Sequence, residues 1–210
     1  GNFRSMHYFS ENGTDFTCGL IPGAKWMGGG DTLLDGTFYN PNMPTEEIFT
    51  SPMKGEAEGT VVSTMPLSYQ GNLIENFSIT FKNGRAVSCR AEKGQALLEQ
   101  MLAMDEGAAQ LGELALIPHD SPISNLGILF YNTLFDENAA CHIALGAGFP
   151  NTVDGYENMT LEQVHEKGIN DSVIHVDFMI GDGTLNIDGI TADGRVVPVF
   201  RNGSWTEQFR

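Results

Sequence analysis

The sequence predicts a single α+β domain, mainly antiparallel β-sheet with a few short helices. Two observations carry this. Strand-like runs come in pairs joined by Asn-Gly or Asp-Gly turns, the strongest short hairpin signal. Helical periodicity is confined to short stretches, and the order strands, helix, strands, helix, strands lacks the alternation of a parallel βαβ fold.

Taken in order, residues 6–10 and 14–21 alternate enough to be strands, with Asn12-Gly13 as the turn between them. Gly28-Gly29-Gly30-Asp31 is a loop; it lacks the Lys-Ser/Thr ending of a P-loop and the spacing of a dinucleotide fingerprint, so it takes no phosphate role. Residues 40–44 are irregular and lead into Thr45-Glu46-Glu47-Ile48-Phe49-Thr50. Residues 76–81 and 86–90 flank Asn83-Gly84 as a hairpin. Residues 92–106 are helical, with Ala96, Leu97, Met101 and Leu102 as the apolar stripe. Residues 111–117 form a strand, residues 136–145 a short helix entered through acids, and residues 160–167 another short helix. From Val173 onward the chain is β, with strands at 174–180, 185–190 and 196–200 and turns at Asp182-Gly183 and Asp193-Gly194.

The chain has 210 residues, enough for one large domain, and a formal net charge of −16. Such a charge argues against a nucleic-acid partner and suits a site that attracts cations. No apolar run approaches the ~20 residues of a membrane span, so no membrane association is expected. Gly1-Asn2-Phe3-Arg4 lacks the apolar core of a signal peptide. Gly1, with no Met before it, reads as a tag remnant, and the chain as a piece of something longer. Cys18, Cys89 and Cys141 are odd in number and widely spaced, which gives neither a disulfide framework nor a zinc pattern and points to a reducing cytoplasm. All three sit in apolar contexts that suit buried structural cysteine; Cys141 beside His142 leaves a thiol nucleophile as the less favoured option.

The chemistry concentrates in Ile174-His175-Val176-Asp177-Phe178-Met179-Ile180. Side chains two apart leave a strand on one face, so an apolar strand aims an imidazole and a carboxylate at one point. A divalent cation compensates that burial, and so does a plain His–Asp hydrogen bond. Glu113, alone in the apolar run Leu111–Ile117, needs a salt bridge or a metal, and His175 with Asp177 favours the metal. In Asp136-Glu137-Asn138-Ala139-Ala140-Cys141-His142, an ideal helix puts 138 and 142 on one face but not 137 and 142, and capping alone accounts for Asp136 and Glu137. Glu46 and Glu47 follow Pro44-Thr45, a pair suited to starting a helix, where the dipole would explain acids. His119-Asp120-Ser121 is not a catalytic triad, because triad members converge from separate parts of a fold. His7 and His165 have only ordinary surface neighbours and are assigned to structure. Imidazoles and carboxylates without thiolate suit Zn, Co or Mn in a hydrolytic site. Four or more carboxylates with two histidines exceed the needs of one ion and suit a two-metal centre.

Four ordered motifs carry a resemblance: Asn-Met-Pro-Thr-Glu-Glu-Ile-Phe-Thr (42–50), Gly-Glu-Leu-Ala-Leu-Ile-Pro-His-Asp-Ser-Pro-Ile-Ser (112–124), Phe-Tyr-Asn-Thr-Leu-Phe-Asp-Glu-Asn-Ala-Ala-Cys-His-Ile-Ala-Leu-Gly (130–146) and His-Val-Asp-Phe-Met-Ile-Gly (175–181). They resemble the aminopeptidase T and aminopeptidase S family of cocatalytic metallopeptidases, across essentially the whole chain. The match is to the C-terminal, metal-binding half of such enzymes, so residues 2–210 are expected to be that domain, with the N-terminal half missing. The resemblance implies two divalent ions (Zn, Co or Mn, with Mg a further option) held by Glu47, Glu113, Glu137, His142, His175 and Asp177. It selects Glu137 over Asn138, against the helix argument. It also implies a homodimer and peptide substrates with a free N-terminus, one ion polarising the scissile carbonyl and the other anchoring the α-amine. Glu46, a carboxylate beside a ligand carboxylate, is the expected general base. One departure stands out: the family usually has a tyrosine near the metals where this chain has Phe149, and Tyr156 is the candidate substitute. The expectation is thus a metallo-aminopeptidase catalytic domain. The alternatives are a metal-binding or dimerisation module without turnover, and a β-rich binding domain without metal.

Overall fold

The computed structural model describes residues 3–41, 43 and 46–210. Gly1, read as a tag remnant, and Pro44-Thr45, read as a helix start, lie outside the described residues.

The strands are β1 (Phe3–Phe9), β2 (Asp15–Leu20), β3 (Met27–Gly28), β4 (Asp31–Thr32), β5 (Phe38–Tyr39), β6 (Ile48–Thr50), β7 (Pro52–Val62), β8 (Leu67–Tyr69), β9 (Asn72–Lys82), β10 (Arg85–Lys93), β11 (Leu111–Leu116), β12 (His142–Gly146), β13 (His175–Met179), β14 (Asn186–Thr191), β15 (Val196–Arg201) and β16 (Ser204–Trp205). The helices are α1 (Gln95–Leu102), α2 (Thr133–Asp136) and α3 (Leu161–Glu166), with short 3-10 turns between. The large sheet runs β10-β9-β7-β2-β1-β14-β15-β16 with β8 on β9, and a five-stranded sheet runs β13-β12-β11-β6-β3. Among the described residues every strand pairing is antiparallel. The fold is therefore the expected α+β, mainly antiparallel.

The two sheets pack face to face. Tyr8, Phe16, Val61, Phe77 and Ile79 from the large sheet meet Leu114, Leu116, Ile143, Leu145, Val176 and Phe178 from the small one in a single core. Phe77 and Phe178 touch across it, ring centroids 5.2 Å apart. Burying those faces supplies the main favourable term, at roughly 1.5–3 kcal/mol per fully buried large side chain. In β12 and β13 the core takes every second residue, which leaves the alternate set facing away from it.

The hairpins at Asn12-Gly13, Asn83-Gly84 and Asp193-Gly194 are present, whereas Asp182-Gly183 links β13 of the small sheet to β14 of the large one and closes no hairpin. Asn83 and Gly84 both take positive φ, as a two-residue turn of this hand requires. Helix α3 begins with Thr160 and Gln163 in a reciprocal capping box. Three readings change. Residues 136–145 are not one helix: α2 ends at Asp136, a 3-10 turn covers Glu137–Ala139, Ala140 is extended, and β12 follows. A fully buried apolar run has no periodicity to distinguish strand from helix. Asp136 does not cap that helix start; its carboxylate accepts from the backbone N–H groups of Phe130 and Asn132, and Asn132 caps α2. The helix read at 92–106 is shorter, because β10 runs to Lys93 and Gly94 turns the chain in the left-handed region. The eleven-residue β7 escaped the reading; its Gly- and Glu-rich sequence buries little beyond Ala57 and Val61. Among the described residues no helix is long and apolar enough to cross a membrane.

Candidate metal centre

The outer face of the five-stranded sheet collects the candidate ligands. Residues directly opposite on neighbouring strands share a face. Glu113 on β11 lies opposite Ala144 on β12, which lies opposite Asp177 on β13. The next row is Phe49, Ala115, His142 and Met179, and Gly146 faces His175. Glu47 precedes β6, two residues before Phe49. Between the ligand-type side chains sit only small ones, Ala115, Ala144 and Gly146, which leaves room for a charged cluster.

A bulge sets Glu113 on this face. The β11–β12 register slips between Leu111 and Glu113, so Leu111 and Leu114 both enter the core and Glu113 turns outward. Gly112 permits the slip: a Cβ there would lie 2.1 Å from the carbonyl oxygen of Ala147. Glu137 arrives from the 3-10 turn before β12. It does not share a helix with His142, which removes the geometric objection to their meeting at one site.

Both imidazoles are oriented from behind. His142 Nδ1 is 3.0 Å from the carbonyl oxygen of Ala140, and His175 Nδ1 is 2.7 Å from that of Ala147. A carbonyl only accepts, so Nδ1 carries the proton and Nε2 turns toward the acids. His175 Nε2 lies 3.1 Å from Glu113 Oε2 and 3.4 Å from Asp177 Oδ1. His142 Nε2 lies 3.5 Å from Glu47 Oε1. With a lone pair on each Nε2, acceptor would face acceptor. A proton or a cation must sit between them.

The metal-free electrostatics show the strain. Burial, reinforced by Asp177, raises Glu113 to about 7 against the opposing His175 bond. Burial, then Asp177, Glu47 and Glu113, pushes Glu137 up to about 8. Burial also raises Glu47. Burial would lower the histidines, but the surrounding carboxylates outweigh it and bring His142 to about 9 and His175 to about 11. Burial would raise Asp177, yet the histidines hold it down to about 2. Asp177 Oδ1 is buried and makes no hydrogen bond, its 3.4 Å contact with His175 Nε2 being an ion-pair approach. That oxygen and the inward-turned Nε2 atoms fit a divalent cation. Among the described residues two ligand-type groups emerge, Glu47–Glu113–His142 and Glu113–His175–Asp177, the ligand atoms of each within 4.8 Å of one another. Glu113 belongs to both. Glu137 lies outside these groups but interacts electrostatically with Asp177, His142, Glu47 and Glu113.

A cavity of about 290 Å³ opens over the cluster, lined by Glu47, Glu113, Glu137, His175 and Asp177 and walled by Met27, Phe49, Leu134 and Phe149. Phe149 packs against His175 with centroids 4.7 Å apart and edge-on to Phe49 at 5.3 Å. Glu46 is exposed and is not among the lining residues. Tyr156 packs beside the separate cluster of Ile21, Val153, Val164 and Ile169 and does not line the cavity, so it supplies no phenol there. Gly28, Gly29, Gly30 and Asp31, read as a loop without a phosphate role, line it; no motif in the sequence announces a wall made largely of glycine backbone. Cys141 faces the core, bonded through Sγ to the backbone of Ile117, and burial raises its thiol to about 12, which removes it as a nucleophile. His7 pairs with Asp15 at 2.8 Å across the first hairpin, an acidic partner hidden by sequence distance. His119, Asp120 and Ser121 form no relay: Asn125 donates to Asp120 and the backbone N–H of Ser121 to the carbonyl of His119.

The chain is similar to known proteins. Residues 1–205 match the family described as thermophilic metalloprotease (M29). The chain is 51% identical to aminopeptidase AmpS of Bacillus subtilis over 97% of its length and 50% of that protein. It is 50% identical to aminopeptidase 2 of Geobacillus stearothermophilus over 94% of its length and 48% of that protein. The solved structure of wild-type AmpT from Thermus thermophilus superposes with a TM-score of 0.89 at 43% identity, covering 97% of this chain and 50% of that one. The chain thus spans about half the length of the curated relatives it matches. It belongs to the thermophilic metalloprotease (M29) family.

Proposed function

We propose that residues 2–210 are the catalytic, metal-binding half of a metal-dependent aminopeptidase that hydrolyses the N-terminal bond of peptides. The observation that carries this is the sharing of Glu113 between two ligand-type groups, the arrangement a dimetal centre needs. Glu47, Glu113 and His142 would hold one ion and Glu113, His175 and Asp177 the other, with Glu137 completing the set. Divalent ions bound there (Zn, Co, Mn or Mg) supply Lewis acidity toward a carbonyl and bring a water's pKa toward neutrality.

The chain's own groups do the rest. The carbonyls of Ala140 and Ala147 fix the histidine tautomers. The acids lining the cavity, Asp31 among them, attract a protonated N-terminus. Phe49, Phe149 and Leu134 give the cavity an apolar side. Glu46 is the proposed general base as the carboxylate next in sequence to Glu47; it is exposed and would have to turn toward the cavity that Glu47 lines. The exposed apolar hairpin carrying Leu33, Leu34, Phe38 and Tyr39 beside the cavity wall supports a homodimer contact or a seat for an N-terminal half. The unpaired cysteines support a cytoplasmic location.

A second reading, a metal-binding or dimerisation module without turnover, is favoured by Phe149, which brings no hydroxyl to the cavity. Metal content after loading and dialysis tests the centre, with His175→Ala beside it. Peptidase assays with and without a supplied N-terminal half then separate the two readings. About two ions per chain with turnover supports the first. Two ions without turnover, even with the other half present, supports the second.

A further inference from the structure

The glycine run at 28–30 is a feature of the sequence that the metal reading leaves without a task. Met27, Gly28, Gly29, Gly30 and Asp31 all line the cavity. An extended segment shows only alternate residues to anything over its face, so five in a row mean that the cavity meets this segment along its backbone edge. Gly28 is exposed, and Gly29 and Gly30 are half-buried, so their main chain is open to whatever enters the cavity.

Neither conformation nor packing accounts for the first two glycines. Gly30 has a local reason: a Cβ there would lie 2.3 Å from the Phe38 ring. At Gly28 and Gly29 an added Cβ would meet nothing within 4 Å, and φ lies outside the left-handed region. Among the described glycines only these two combine both properties. Glycine weakens an extended segment, because it loses the most conformational freedom on folding. A bare position that nothing in the fold requires fits a surface that another backbone approaches closely.

The place of the run in the sheet supplies the hydrogen-bonding groups. β3 ends the five-stranded sheet: β6 pairs with it on one side, and among the described residues no strand pairs with the other. In an antiparallel ladder alternate residues turn N–H and C=O toward the partner strand and the rest turn them away, so the outer edge of β3 is an unused ladder. A peptide adds to such an edge through main-chain hydrogen bonds. β3 stands two strands from β11, which carries Glu113. At the usual strand spacing that is roughly 10 Å, or about three extended residues. A peptide whose N-terminus sits at the carboxylate–imidazole cluster therefore reaches the run at about its third residue.

We infer that Gly28-Gly29-Gly30 is a rail for the main chain of the substrate: the peptide beyond the scissile bond lies along the free edge of β3 as an added strand, held by backbone groups and indifferent to its own side chains. This rests on the aminopeptidase reading and gives it a substrate class, peptides of three or more residues in preference to dipeptides and amino-acid amides.

Calorimetric binding to the metal-loaded chain tests it, with leucinamide, Leu-Gly-Gly-Gly and versions of that tetrapeptide methylated at one peptide nitrogen each. Methylation at one of the last two nitrogens should weaken binding roughly fivefold, the value of one neutral hydrogen bond. The side chains of Gly28→Val and Gly29→Val enter open space, so both variants should unfold in urea no earlier than the wild type. Both should weaken Leu-Gly-Gly-Gly roughly fivefold more than leucinamide. Equal weakening of the two ligands overturns the rail, as does a tetrapeptide that binds no tighter than leucinamide or ignores both methylation and the valines. Turnover separates this from the peptidase reading. Cleavage of Leu-Gly-Gly-Gly with KM unaltered in both variants keeps the peptidase and overturns the rail. Length-dependent binding without cleavage, even with a supplied N-terminal half, overturns the peptidase and leaves the rail standing.

Discussion

Glu137→Gln should stabilise the metal-free protein and destabilise the metal-loaded one. Burial and the neighbouring acids raise Glu137 from its ordinary value of 4.5 to about 8. At pH 7 the unfolded carboxyl is ionised, whereas the folded one must take up a proton. A rise of that kind costs roughly 3 kcal/mol at pH 7, at about 1.4 kcal/mol per pKa unit. Glu137 keeps partial contact with solvent, which reduces the figure to about 2 kcal/mol. The sign follows from linkage: for an acid whose folded pKa is raised, the penalty is absent below the unfolded pKa and grows as pH rises toward the folded one. The neutral amide carries no such penalty. The metal-free variant should therefore match the wild type near pH 4 and exceed it increasingly between pH 5 and 8. With metal present the order reverses, because a ligand that binds the folded state stabilises by RT ln(1 + [L]/Kd) and the amide weakens that binding. Urea unfolding across this pH range, with and without chelator, measures both. Equal metal-free stability of the two proteins at pH 8 would refute the reasoning.

Three further outcomes follow from the same geometry. Metal loading at pH 7 should release protons, since His142 and His175, brought to about 9 and about 11, must surrender theirs; affinity should climb with pH, and a pH-stat titration showing no release would remove these histidines from the ligand set. Glu113→Gln should lose both ions while His142→Ala and His175→Ala each lose mainly one, read by metal content per chain; loss of one ion in all three would mean that Glu113 is not shared. Glu46→Gln should keep metal and lose turnover, and unchanged kcat would exclude Glu46 as general base.

The sheet architecture was legible because hairpin signals are local: Asn83-Gly84 and the alternation in residues 174–180 depend on neighbours alone. The pairing of His175 with Asp177 was legible for the same reason, as period two places them together. Residues 140–145 were not, because in a strand buried on both faces the apolar run carries no period. That one ambiguity also generated the false conflict between Glu137 and His142. The Gly112 bulge, which decides where Glu113 points, is a matter of register between strands and leaves no mark in the sequence beyond a glycine. The cavity wall at Gly28–Asp31 depends on contacts between distant segments, which no local pattern encodes.

The two faces of β12 divide the labour between folding and chemistry, and substitution can separate them. Ile143 and Leu145 are fully buried in the shared core, whereas Ala144, equally buried, lies between Glu113 and Asp177 on the other face. Leu145→Ala removes methylenes from a packed interior and should cost about 2–5 kcal/mol, with metal content unchanged in whatever remains folded. Ala144→Leu should cost less, about 1–3 kcal/mol, because the added atoms can extend toward the cluster. In doing so they occupy the space that the shared carboxylate needs, so metal content should fall while the protein stays folded. Parallel measurements of unfolding free energy and bound metal would show the dissociation. If Ala144→Leu kept its metal, the small residues of this face would not be what leaves room for the centre. The alternation would then position the ligands without shaping the site.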